Sequence, residues 1–146
     1  MHRIWLAIGL FAVGITAGVA QNLPPIKERK ADLKSMGDAV KPVGAMFKGE
    51  ADFELAKVQT ALKTIQEKTA KLPALFPDDS KTGGDTEALP VIWENKADFE
   101  ARFKKLGDAA KAAEAAITDE DSFRGAWKDL VGNCSACHKK YRKPKS

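Results

Sequence analysis

The sequence predicts an all-α chain folded as an antiparallel four-helix bundle. Three observations carry this. Apolar residues beyond position 25 recur at alternating spacings of three and four, the period of a helix buried on one face. Alternation with a period of two is sustained nowhere, and runs of β-branched residues are absent. The periodic stretches number four, separated by two short breaks and one long middle crossover, which is bundle connectivity.

Residues 1–20 stand apart from that pattern. Arg3 opens a stretch that is apolar from Ile4 to Ala20, with Gly18 and Ala20 in a small-x-small arrangement. This is the composition of a secretory signal peptide, cut between Ala20 and Gln21. An uncleaved anchor is the alternative, because 17 apolar residues sit at the lower edge of a membrane span. No other segment is apolar for long enough to cross a bilayer, so the mature chain is expected in the periplasm, without stable membrane insertion. Residues 21–146 are enough for one domain with its own core and too few for two.

The first helix carries Ile26, Leu33, Met36, Val40, Val43 and Phe47, with Pro42 expected to kink it because proline removes a backbone donor. Lys48-Gly49-Glu50 breaks it from a second stripe of Leu55, Val58, Leu62, Ile65, Thr69 and Leu72. Residues 71–93 hold Pro73, Pro77, Pro90 and the Gly83-Gly84 pair, so they cannot be helical throughout; a connection this long usually has a role. Asn95 is placed to cap a third helix with Phe99, Phe103, Leu106, Ala110, Ala113 and Ile117 on its inner face. Thr118 and Asp121 resemble a capping box for the last, which carries Phe123, Trp127, Leu130, Cys134, Cys137, His138 and Tyr141.

Charge excludes little. The chain has 24 Lys and Arg against 20 Asp and Glu, and loses only Arg3 with the signal. Its basic residues are scattered, apart from a tail of Lys139, Lys140, Arg142, Lys143 and Lys145 that serves equally as a solvated helix end. No nucleic-acid partner is expected.

The chemistry is concentrated in "NCSACHKKYRK", residues 133–143. Cys134 and Cys137 are the only cysteines, and His138 is the only histidine once His2 leaves with the signal. Zinc would need a fourth ligand that nothing signals. A thiol–disulfide oxidoreductase would put its first cysteine at a helix N-terminus after a strand, whereas this motif lies near a helix end. Haem fits without remainder. C-x-x-C-H is the c-type attachment pattern, two thiols at i and i+3 share one side of a helix, and His138 follows as iron ligand. The expected cofactor is one haem c, covalent through Cys134 and Cys137 and ligated by His138.

These residues, with "RKADL" in the first helix, the "FKGE" turn and the "LPALFPDDSKTGGDTEALPVIW" crossover, resemble class II c-type cytochromes, the cytochrome c′ and cytochrome c-556 group. The resemblance covers residues 26–143. It implies a haem protein that binds NO or CO, or passes single electrons to redox proteins, rather than an enzyme. It implies that Leu33 covers the open face of the iron, since cytochromes c′ often place an apolar residue there. The low-spin, six-coordinate members place a methionine in that region, and Met36, one turn later, is the candidate. Arg29 is either a solvated, snorkelling side chain or the family's cation near the distal haem face and its propionates. Arg142 is either the basic residue beside the axial histidine or a cation suited to a helix C-terminus. Trp93 and Phe76 are core, or close over the haem edge. Family members often pair through their first two helices, so a homodimer is expected from the apolar surplus of Ile26, Val40, Val43 and Phe47.

Overall fold

The computed structural model describes residues 23–144. The signal segment, its cut after Ala20, and Lys145 lie outside the described residues. Helix α1 spans Leu23–Phe47 and α2 spans Leu55–Lys71. The crossover holds 3-10 turns at Leu72–Leu75 and Asp78–Ser80, then a single-turn helix α3 at Val91–Glu94. Helices α4 (Lys96–Ala116) and α5 (Glu120–Tyr141) complete the bundle.

Local chemistry sets the boundaries. Pro24 and Pro25 sit in the first turn of α1, where the missing donors would have lacked a helical partner anyway. The helix runs on through Pro42, whose exposed ring does not divide it. It stops at Gly49, which takes a left-handed φ of 75°. There the Gly49 N–H donates to Met46 O at 3.0 Å and the Glu50 N–H to Ala45 O at 2.9 Å, closing a Schellman motif.

Two expected caps differ in detail. The box on α5 is Asp119 with Ser122, one residue on from the expected pair: the Ser122 N–H donates to Asp119 Oδ1 at 2.8 Å, and Ser122 Oγ accepts the Asp119 N–H at 3.1 Å. The serine hydroxyl also accepts the Thr118 N–H, so one side chain satisfies two donors. Asn95 does occupy the N-cap of α4, but its amide donates back to Val91 O at 3.4 Å, because α3 ends directly before it and leaves that carbonyl in reach.

Helix α1 packs on α2, α2 on α4 and α4 on α5, while α1 and α5 do not approach each other as closely. Thr69 on α2 turns its hydroxyl back to Ile65 O at 2.7 Å, and a Cβ at Gly107 would lie 2.8 Å from that hydroxyl. Glycine therefore permits the tight α2–α4 approach. The core divides in two. One cluster joins Val43, Val58, Leu62, Ile65, Leu106, Phe123, Trp127 and Leu130. The other joins Leu72, Phe76, Ile92, Phe99, Phe103 and Tyr141 at the end where the crossover lies.

Leu55 departs from its expected stripe and is exposed, as the first residue of α2. The apolar surplus expected to form a dimer face is used inside the chain. Ile26 and Val43 are buried, Val40 packs on the first cluster, and Phe47 meets Phe123 edge-on at 6.2 Å. No helix among the described residues is long and apolar enough to cross a membrane.

Candidate functional site

Burial of Phe123, Trp127, Leu130 and Tyr141 turns one side of α5 inward. Cys134 and Cys137 share that side, half-buried and not joined by a disulfide. Cys134 packs against the first core cluster and Cys137 against the second, so the two thiols bridge the halves of the core. His138 is exposed, not on the buried stripe where the sequence placed it. One residue past Cys137 adds about 100° around the helix, enough to carry the ring to the rim.

Burial pushes both thiols above the ordinary cysteine range. Desolvation is the cause at Cys134; at Cys137 it outweighs the opposing pull of the Arg102 guanidinium. A dithiol enzyme needs the reverse, a thiolate favoured by its surroundings. On α1, Leu33 and Met36 are both half-buried. Leu33 packs on the second cluster with Cys137, whereas Met36 touches both clusters.

A haem fits this set of residues. Two neutral thiols stand at i and i+3, an imidazole follows, and the half-buried residues on the inner sides of α1 and α5 are apolar or thiol. Cys134, Cys137 and His138 would hold it.

The other named residues sit around this group. Arg29 is neither solvated nor snorkelling: it is 2% exposed. One terminal nitrogen donates to Leu75 O at 3.2 Å and Ser80 Oγ at 2.7 Å; the other donates to Ser80 O at 2.9 Å and Thr86 Oγ1 at 2.8 Å. Its charge lies over the Phe76 ring at 4.5 Å and the Trp93 ring at 5.8 Å. Phe76 is buried at 4.7 Å from Phe99, and Trp93 donates its indole N–H to Phe76 O and Pro77 O, so both are built into the core and crossover. Arg142 caps α5: its N–H donates to His138 O at 3.1 Å, and its side chain reaches Glu87 at 3.9 Å.

Two networks escaped the sequence. Asp98, at the start of α4, accepts from Arg102 at 2.8 Å, from Lys140 at 3.0 Å and from the Tyr141 hydroxyl. Those donors, Arg102 foremost, hold its carboxyl well below the usual range. The network ties the last turn of α5, just beyond His138, to α4. Its only sequence signal is the i,i+4 spacing of Asp98 and Arg102. Asp32, next to Leu33, is buried between Lys68 and Lys71, each at 3.2 Å. Burial opposes its ionisation, but hydrogen bonds from the two lysines outweigh this and lower its pKa.

The family described as Cytochrome C′ matches residues 24–142. The chain belongs to the cytochrome c′ family. Cytochrome c′ of Rhodopseudomonas palustris is 51% identical over 144 residues, covering 99% of this chain and 98% of the relative. A solved structure of cytochrome c′ from that organism matches with a TM-score of 0.81 at 54% identity, over 84% of this chain and 98% of its own. Cytochrome c-556 of Agrobacterium fabrum is 36% identical over 88% of this chain and 87% of the relative. A nitric oxide complex of a variant cytochrome c prime from Alcaligenes xylosoxidans matches with a TM-score of 0.73 at 26% identity, over 86% and 99%. Cytochrome c′ is itself a familiar four-helix bundle, so fold and family agree without being independent.

Proposed function

We propose that this chain is an exported cytochrome c′-like haem protein, binding NO or CO at a five-coordinate iron and passing single electrons to redox proteins of the periplasm. Residues 1–20 are the signal that sends it there. Cys134 and Cys137 would hold one haem c by thioether bonds, and His138 would ligate its iron. When bound, that group supplies an iron centre able to take one electron or one diatomic ligand. The chain's own residues decide which ligands reach it. Leucine has no donor atom, so Leu33 would cover the open side of that group without ligating, yielding to a diatomic and excluding anything bulkier. Arg29 lies one turn before it and Arg142 one turn after His138.

The observation that carries this is the placement of Leu33. At the fourth residue after Arg29 stands a leucine, half-buried in the same apolar cluster as Cys137. The nitric oxide complex of the Alcaligenes xylosoxidans relative supports the choice of ligand. Met36 is the rival, as the sixth ligand of a c-556-like electron carrier; its contact with both core clusters supports a packing role instead. A homodimer through α1 and α2, as the family resemblance implies, is part of the proposal and is checked by sedimentation at high concentration.

Mass spectrometry of the mature protein, made with a c-type maturation system, should show one haem that survives acid-acetone extraction. Replacing His138 by glycine should change both ferric and ferrous spectra. Leu33→Ala should speed CO association. Bare polypeptide mass, or spectra unaltered by loss of His138, would contradict the assignment.

A further inference from the structure

The crossover touches both helices that flank the proposed haem. On the α1 side, Arg29 reaches across to Leu75, Ser80 and Thr86. On the α5 side, residues 87–89 run antiparallel to the chain leaving the helix. There the Leu89 N–H donates to Tyr141 O at 3.0 Å and the Lys143 N–H to Glu87 O at 2.8 Å, around a bridge between Ala88 and Arg142. The two attachments meet at one residue. Thr86, 7% exposed, accepts Arg29 on Oγ1 at 2.8 Å and the Lys143 ammonium on its carbonyl at 2.9 Å. Its Oγ1 also takes the Ala88 N–H at 3.2 Å, which fixes the start of the bridged segment.

We infer that Thr86 is a positioning residue for gas entry: it fixes α1, and with it Leu33, relative to the end of α5 that carries His138. This rests on the haem assignment above. The physical reason is the connectivity of the bundle. Helices α1 and α5 meet where Phe47 packs on Phe123, near the end of α1 and the start of α5, away from Leu33 and His138. Toward Leu33 and His138 the crossover joins the two helices through Thr86. Leu33 lies four residues, about 6 Å of helix rise, after Arg29. A side chain that gates by yielding is sensitive to how firmly its own turn is held. Among the described residues the Arg29 guanidinium donates only to crossover acceptors, and Thr86 is the acceptor shared with the α5 side.

Thr86→Val keeps the shape of the side chain and removes the hydroxyl acceptor. Ferrous holoprotein carrying it should bind CO roughly fivefold faster than wild type, the effect of weakening about one charged hydrogen bond. Thr86→Ser should restore the wild-type rate. In a Leu33→Ala background Thr86→Val should add nothing, because the gate it positions is gone; a general loosening would act in both backgrounds. Amide exchange at Leu89 and Lys143 should rise in Thr86→Val whether or not gas is present. Lys143→Met, a change at an exposed residue, should raise the CO rate in the same direction even if Thr86→Val fails to fold. An unchanged CO rate in both variants overturns the inference, as does an equal effect with and without Leu33. Absence of covalent haem from the wild-type protein would instead overturn the functional proposal on which it rests.

Discussion

Replacing Arg29 by methionine tests whether the crossover is held by one buried cation. Methionine keeps the aliphatic contact with Phe76 and Trp93 and removes the donors. Two of the four acceptors retain a partner: Ser80 Oγ still donates to Pro77 O at 2.8 Å, and Thr86 Oγ1 still accepts from Ala88. The carbonyls of Leu75 and Ser80 lose the guanidinium. Hydrogen bonds to a charged donor contribute about 1.5–3 kcal/mol each, and a buried cation costs several kcal/mol to desolvate. With the carbonyls weighed against that recovered desolvation, the net loss is about 3 kcal/mol. At this chain length that lowers Tm by about 12 °C. Urea unfolding of the holoprotein followed by far-UV circular dichroism reads it directly. A loss under about 1 kcal/mol, the range of an ordinary substitution, would show that the crossover stands without Arg29.

Other consequences are smaller or more local. Asp98 has a depressed pKa in the folded state, so its contribution is present above the unfolded carboxylate value of about 4 and is lost as pH falls below it. Asp98→Asn should therefore flatten the acid side of the stability–pH profile and leave its slope above pH 6 unchanged. Asp119→Ala removes the cap of α5 and should cost about 1 kcal/mol in urea unfolding. Gly107→Ala forces a methyl to within 2.8 Å of Thr69 Oγ1 and should destabilise by about 1–3 kcal/mol; Thr69→Ala in the same chain should recover part of that.

Helix period and turn chemistry made the architecture legible in the sequence. Stripes of three-four spacing located all four long helices, and Gly49 marked its turn because only a left-handed residue closes that helix end. The attachment pattern was equally plain, since C-x-x-C-H is local and α5 carries it whole. What the sequence concealed was long-range. Arg29 looked like an exception on an apolar stripe because its partners, Ser80 and Thr86, lie more than fifty residues away in an irregular segment. Asp98 and Tyr141 are forty-three residues apart and carry no shared signal. His138 was misplaced for a different reason. Period alone admits neighbouring positions to one stripe, and only the packing of α5 on α4 decides which of Cys137 and His138 turns inward.

The most direct test of the account is an optical spectrum of the reduced holoprotein, taken before and after CO, for wild type and Met36→Leu. A five-coordinate, high-spin ferrous spectrum is expected, with CO added without displacement of any protein ligand and Met36→Leu nearly indistinguishable from wild type. A low-spin ferrous spectrum that Met36→Leu converts to high-spin would contradict it and make the chain a six-coordinate electron carrier.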